Sequence, residues 1–93
     1  MRLAYDPRAL SDLAIIHRYI ARSDAAAAGR VVARIRRAID RLRVLPFSGG
    51  PGPLGIRLLA VPNLPYIVVH RVRENDGIVD VIAVLHTARE RRE

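Results

Sequence analysis

The sequence predicts an α+β fold of order βααβββ, an antiparallel sheet packed on an N-terminal helical hairpin. Three observations predict it. Apolar residues recur at helical spacing through the first half of the chain. A stretch with three prolines and four glycines, 45–55, closes that half. Three runs rich in β-branched and aliphatic residues then follow, separated by short turn sequences. Helices grouped before strands, rather than alternating with them, favour one sheet with the helices layered on one face. Ninety-three residues make one domain, 1–93, in which no internal repeat and no boundary is visible.

Each element has a local reason. "RLAY" (2–5) is a short apolar strand. Asp6 and Pro7 open a helix, the aspartate as N-cap and the proline at the first helical position, where its missing N–H is not needed. Ala9, Leu13, Ile16 and Ile20 form its apolar stripe, with Leu10 and Tyr19 beside it. Arg22–Ser23–Asp24 breaks the pattern and offers a second cap. The next helix, roughly 25–44, turns Ala28, Val31, Val32, Ile35, Ile39 and Leu42 inward, and the short connection makes the two an antiparallel hairpin. "LPFSGGPGPLG" (45–55) is a loop. "GIRLLAV" (55–61), "YIVVHRV" (66–72) and "GIVDVIAVLH" (77–86) are strands, joined by the turns "PNLP" (62–65) and "ENDG" (74–77) into an antiparallel meander.

Composition narrows the function. The hydrophobic share of 51% supports a folded core, and with only Tyr5, Tyr19, Phe47 and Tyr66 as aromatics that core is aliphatic. The absence of cysteine excludes disulfides and thiolate metal sites. The N-terminus has no apolar core of a signal peptide, and no apolar run approaches the roughly 20 residues of a membrane span, so a cytoplasmic protein without membrane contact is expected. All sixteen basic residues are arginine, the net charge is +7 and the pI is near 11.4, a balance that calls for an acidic partner.

Candidate residues are few. Arg30, Arg34, Arg37 and Arg41 step by four, three and four along the second helix, with Arg36 and Arg43 beside them and Asp40 as the one acid. They are either a phosphate-facing stripe or the solvated outer face that any amphipathic helix has. The glycine-rich loop lacks the GK[ST] ending of a phosphate-binding loop. His17, His70 and His86 share no metal-binding spacing, and Ser11, Ser23 and Ser48 have no nucleophile motif, so no metal and no cofactor is expected. Arg57 interrupts an apolar strand and must reach solvent or a partner. Strict alternation puts Arg57, Leu59 and Val61 on one face and Ile56, Leu58 and Ala60 on the other. With Arg71 and Arg73 turned outward on the next strand, a cationic open sheet face is expected. The chain closes with "VLHTARERR" (84–92), where a strand runs into His86 and then Arg89, Arg91 and Arg92.

"ALSDLAIIHRYIA", "LPFSGG", "GIRLLAVPNLPYIVVHRV" and "DVIAVLHTARER", in that order and spacing, resemble the ParE/RelE toxin superfamily of bacterial type II toxin–antitoxin modules over nearly the whole chain. The resemblance implies the same βααβββ fold, a growth-inhibiting toxin of the kind linked to plasmid stabilisation, and a hetero-oligomer with a cognate antitoxin. An acidic or amphipathic antitoxin segment would match the charge, with DNA reached only indirectly through that antitoxin. One branch of the superfamily comprises ribosome-dependent mRNA endoribonucleases; the other inhibits DNA gyrase and lacks a recognised catalytic set. Here Ile67 follows Tyr66 where the first branch usually has an arginine, no lysine occurs, and no tyrosine follows Tyr66. That departure implies a gyrase inhibitor acting by protein contact, with no catalytic residues and with Arg57, His86, Arg89, Arg91 and Arg92 as the target-binding set. The alternatives are a ribosome-dependent nuclease using Arg57, His86 and Arg89, with His86 as base or acid and an arginine steadying the phosphorane, and a non-toxic nucleic-acid-binding domain.

Overall fold

The computed structural model describes residues 1–88; Arg89, Arg91 and Arg92 therefore lie outside the described residues. The elements are β1 (Arg2–Tyr5), α1 (Pro7–Ala21), α2 (Ala25–Asp40), β2 (Gly50–Pro51), β3 (Arg57–Ala60), β4 (Tyr66–Arg73) and β5 (Ile78–His86). A single 3-10 turn, Arg41–Arg43, extends α2 to nearly the expected end.

Both helices start as their sequences dictate. Asp6 accepts a hydrogen bond from the Arg8 N–H at 2.8 Å with Pro7 following it, and Asp24 accepts from the Ala27 N–H at 3.0 Å. The inward stripes also fall where helical spacing puts them. Ala9, Leu13 and Ile16 of α1 meet Ile35, Ala38 and Ile39 of α2, and both lie over Val61, Tyr66, Val68, Val81 and Val84 of the sheet. Ile35 and Ile39 are wholly buried, a contribution of about 1.5–3 kcal/mol each.

The sheet order is β1-β5-β4-β3-β2. β3, β4 and β5 form the expected antiparallel meander. Two features depart from the sequence reading. β1 pairs with β5 in parallel, so the sheet is mixed rather than antiparallel; the helices and meander between the two strands give the long connection that parallel pairing needs. The proline–glycine loop also holds a strand pair, Gly50 and Pro51 against Leu58 and Arg57. Gly49 makes that approach possible: its φ is 89°, and a Cβ there would stand 2.2 Å from the Leu58 carbonyl oxygen.

β5 carries a bulge. Val69 stands opposite Ala83 but His70 stands opposite Val81, so Ile82 is the extra residue. The bulge shifts the alternation of β5 by one. Val79 and Val81 face the helices before it, and Val84 and His86 face them after it. Beyond the bulge β5 also outruns its neighbour, because β1 ends at Tyr5 opposite Val81 and the chain turns into α1. The Val84 N–H would be left unpaired at that edge; the Asp12 carboxylate of α1 accepts it at 2.9 Å. Arg8 approaches the same carboxylate at 3.4 Å. This bond ties α1 to the part of β5 that extends past β1. Replacing Asp12 with Ala strands a partly buried N–H and is expected to lower unfolding free energy by about 1–3 kcal/mol, with Asn, which keeps an acceptor, losing less. Urea denaturation of the two variants measures the difference.

Candidate functional site

Registration around β4 fixes which candidates meet. Arg57 stands opposite His70, and His86 stands opposite Tyr66. All four therefore belong to the helix-side face of the sheet. Arg71 and Arg73 belong to the other face. The expected cationic open face is thus corrected: Arg57 and His86 are not on it. That face carries Leu58, Ile67, Val69 and Leu85 as well as Arg71 and Arg73. Arg73 is moreover neutralised there, by a two-pronged pair with Asp80 (2.7 and 3.1 Å) and a further contact to Asp76 at 2.9 Å. Those carboxylates hold its pKa above the ordinary guanidinium value. Arg71 donates to the Leu54 carbonyl at 3.3 Å.

Arg57 is committed to the loop in front of it. Its Nε and one terminal nitrogen both donate to the Phe47 carbonyl, at 3.1 and 2.8 Å, and the same terminal nitrogen reaches the Gly49 carbonyl at 3.2 Å. Its guanidinium also lies 5.7 Å from the Phe47 ring centroid. The strand arginine that looked out of place in the sequence is thus the clasp of the 47–51 loop. His86, half-buried, meets the Tyr66 ring edge-on, with centroids 5.4 Å apart and planes at 87°. The Ala88 N–H donates to its Nδ1 at 3.2 Å, a bond that only an unprotonated Nδ1 accepts. Arg57 and His86 do not converge. Their partners on β4 are four residues apart, about 13 Å along the strand, and they flank β4 on opposite sides, about 10 Å across it.

His70 is the residue that sequence reasoning passed over. It is fully buried, and neither ring nitrogen has a partner of hydrogen-bond geometry among the described residues. Burial lowers its pKa below 6.5, and the Arg57 charge lowers it further, against an opposing pull from the Ser48 backbone. The signal was present: Tyr66, Val68 and His70 alternate, and the first two are core residues. His17 is exposed. Among the described residues no three His, Asp or Glu side chains gather as a metal site, and no helix is long and apolar enough to cross a membrane.

On the outer side of α2, Arg30, Arg34, Arg37 and Arg41 form one ridge. Arg34 donates to the Pro62 carbonyl of the β3–β4 turn at 2.9 Å. Arg34, Arg37 and Arg41 line a 150 Å³ cleft against Val61 and Pro62. Arg36 turns off the ridge and lies over the Tyr5 ring, 5.2 Å from its centroid.

Comparisons with known proteins agree with this architecture. Residues 3–91 match the family model described as the ParE toxin of the type II toxin–antitoxin system parDE. Y4kP of Sinorhizobium fredii, described as a toxin, is 40% identical over 86 residues, 91% of this chain and 86% of that protein. Toxin RelE2 of Caulobacter vibrioides is 36% identical over 83 residues, 88% of this chain and 90% of that one. A solved chain of the chromosomal ParDE toxin–antitoxin system of P. aeruginosa superposes with a TM-score of 0.81 at 21% identity, covering 92% of this chain and 95% of that one, and shares the fold. The two helices on a five-stranded mixed sheet are those of a small toxin fold. The chain belongs to the ParE toxin family of type II toxin–antitoxin systems.

Two predictions test the roles of Arg57 and His70. Arg57→Lys keeps the charge but loses the planar donor set; it is expected to destabilise the fold by about 1–3 kcal/mol and to expose the 47–51 loop to limited proteolysis. For His70 the folded-state pKa lies below the unfolded one, so the unfolded chain binds the extra proton as pH falls. Stability is therefore full above about pH 6.5 and is lost as pH drops below it. In thermal melts from pH 8 to pH 5, His70→Leu is expected to flatten that part of the loss and to keep its stability near neutral pH.

Proposed function

We propose that this toxin inhibits DNA gyrase by protein contact rather than by chemistry of its own, and that a cognate antitoxin neutralises it. The observation that carries the reading is the separation of Arg57 from His86. In-line cleavage of RNA needs a base and a charge-stabilising group within hydrogen-bond reach of one phosphate. Arg57 instead holds loop carbonyls, and His86 accepts from its own following turn. Inhibition by contact asks only for an exposed, cationic surface, since steering and complementarity need no converging groups. The end of β5 with His86, leading into Arg89, Arg91 and Arg92, is that surface in this reading. Arg57 supports it indirectly, by fixing the loop beside β3. The antitoxin follows from the family and from the charge: an acidic segment that folds on binding suits a +7 surface.

Titration of the purified protein into gyrase-catalysed supercoiling of relaxed plasmid tests the target. Loss of supercoiling with accumulation of cleaved DNA, reversed by the antitoxin, is the expected result; unchanged supercoiling at large excess overturns the gyrase reading and moves the target to the ribosome. Deleting residues 89–93, which spares the Thr87 N–H bond to the Pro65 carbonyl, is expected to raise the half-inhibitory concentration at least ~10-fold. Intact inhibition by the truncated chain would remove the C-terminal surface from the proposal.

A further inference from the structure

We infer that the outer ridge of α2 is a docking surface for the phosphodiester backbone of duplex DNA, contacted directly by this chain. Eight of the described arginines are engaged within the fold. Arg34, Arg57 and Arg71 donate to backbone carbonyls. Arg8, Arg43 and Arg73 pair with carboxylates. Arg22 and Arg36 lie over tyrosine rings. Arg30, Arg37 and Arg41 have no such partner among the described residues, all three are exposed, and all three are on the same ridge. Their sequence positions place them within one narrow stripe of the helix, with Arg34 between them.

The ridge has the dimensions of a phosphate track. From Arg30 to Arg41 it runs about 16 Å, the axial span of four or five phosphates of one strand. No carboxylate interrupts it: Asp40 is turned toward Arg43, at 3.8 Å. Arg34 is fixed by the Pro62 carbonyl, so the ridge has a pre-set member rather than four independent long side chains. The cleft beside it, 150 Å³, is well below the ~300 Å³ at which small-molecule sites begin, so it fits a group such as a phosphate and not a larger ligand.

Other occupants fit less well. A protein partner needs apolar or aromatic anchors at the centre of its footprint; the apolar residues interleaved with these arginines on the helix are alanines, Val61 in the cleft wall is buried, and the exposed Val44 and Leu45 lie beyond the end of the ridge, past Arg41. Single-stranded nucleic acid needs aromatic rings for stacking. The ridge itself carries no ring: Tyr5 lies under Arg36, Tyr66 is in the core, and the exposed Phe47 and Tyr19 belong to the 45–55 loop and to α1. A straight cationic helix edge without rings suits a duplex backbone. The choice of DNA over duplex RNA rests on the gyrase reading above.

The test uses the purified full chain and no gyrase, so it can fail independently of the supercoiling result. Fluorescence anisotropy with a labelled DNA duplex of about 20 base pairs is read across about 50–200 mM salt for two charge-matched variants. One is Arg30→Gln/Arg37→Gln/Arg41→Gln, which leaves the structural Arg34 in place. The other is Arg2→Gln/Arg18→Gln/Arg22→Gln, which removes the same charge elsewhere. Each lost phosphate contact reduces the slope of log K against log salt by about 0.9. The ridge variant is therefore expected to flatten the slope by about 2.7, so that its affinity loss across this range is about 40-fold smaller than that of the unsubstituted protein, while the control variant keeps the original slope to within one contact. Equal effects of the two variants, or an unchanged slope in the ridge variant, would falsify the ridge as the DNA contact. Tighter binding of a duplex RNA of the same length would overturn the assignment to DNA.

Discussion

The extra residue in β5 governs much of this molecule. Ile82 interrupts the pairing between Val69–Ala83 and His70–Val81, and from that point the strand presents its other alternation to the helices. Without the bulge, Val84 and His86 would face away from α1 and α2, and Ala83 and Leu85 would take their places. The core would then lose Val84, and the terminal histidine would join the face that carries Arg71. With the bulge, the core stays aliphatic to the end of the strand, and His86 meets Tyr66 at the margin of the helical layer. The same stretch of β5 outruns β1, and its uncovered Val84 N–H is the one that Asp12 accepts. One inserted residue thus links the packing of the core, the anchoring of α1 and the placement of His86.

How much of this could be read from the sequence depends on the range of the interaction responsible. The helices were legible because their causes are local: Asp6 with Pro7, Asp24, and apolar residues three and four apart. The meander was legible because its turns, "PNLP" and "ENDG", declare themselves. The parallel pairing of β1 was not, since four residues carry no information about which edge they join. Nor was the face of Arg57 relative to Arg71. Alternation sorted β3 and β4 into two faces correctly, but the register between strands decides which faces coincide, and Arg57 opposite His70 is a fact about two strands together. The Ile82 bulge has no sequence mark at all in a run of β-branched residues. The candidate site suffered most from this, because its described residues come from two different strands, while its last three arginines lie outside the described residues.

The absence of lysine takes on a structural meaning here. A lysine ammonium at position 57 could satisfy one carbonyl well, but Arg57 addresses two carbonyls in the loop and stacks near the Phe47 ring at the same time. Arg73 holds both oxygens of Asp80 and still reaches Asp76. Arg36 covers a tyrosine. These are tasks for a planar donor, and they leave the positive charge in place after the structural work is done. A small domain with few aromatics and no disulfide gains from such clasps, since its core alone supplies little surplus stability.

The net charge adds together arginines that play different parts. The clasping group is fixed by carbonyls, carboxylates and rings, and its charge is partly spent within the fold. The other group, Arg30, Arg37 and Arg41, holds nothing in the described structure, yet it sits on one ridge of α2 and the turn that extends it. Chance exposure would scatter unpaired cations, as it does with Arg2 and Arg18. Three on one stripe, flanking a fourth that the β3–β4 turn holds in position, keep like charges close together at a cost in electrostatic repulsion that the fold itself does not require. A bound polyanion relieves that repulsion, whereas the His86 end of the molecule offers a ring, a strand terminus and an adjoining basic segment, features suited to a protein surface. The two regions therefore differ in the chemistry of the partner each suits.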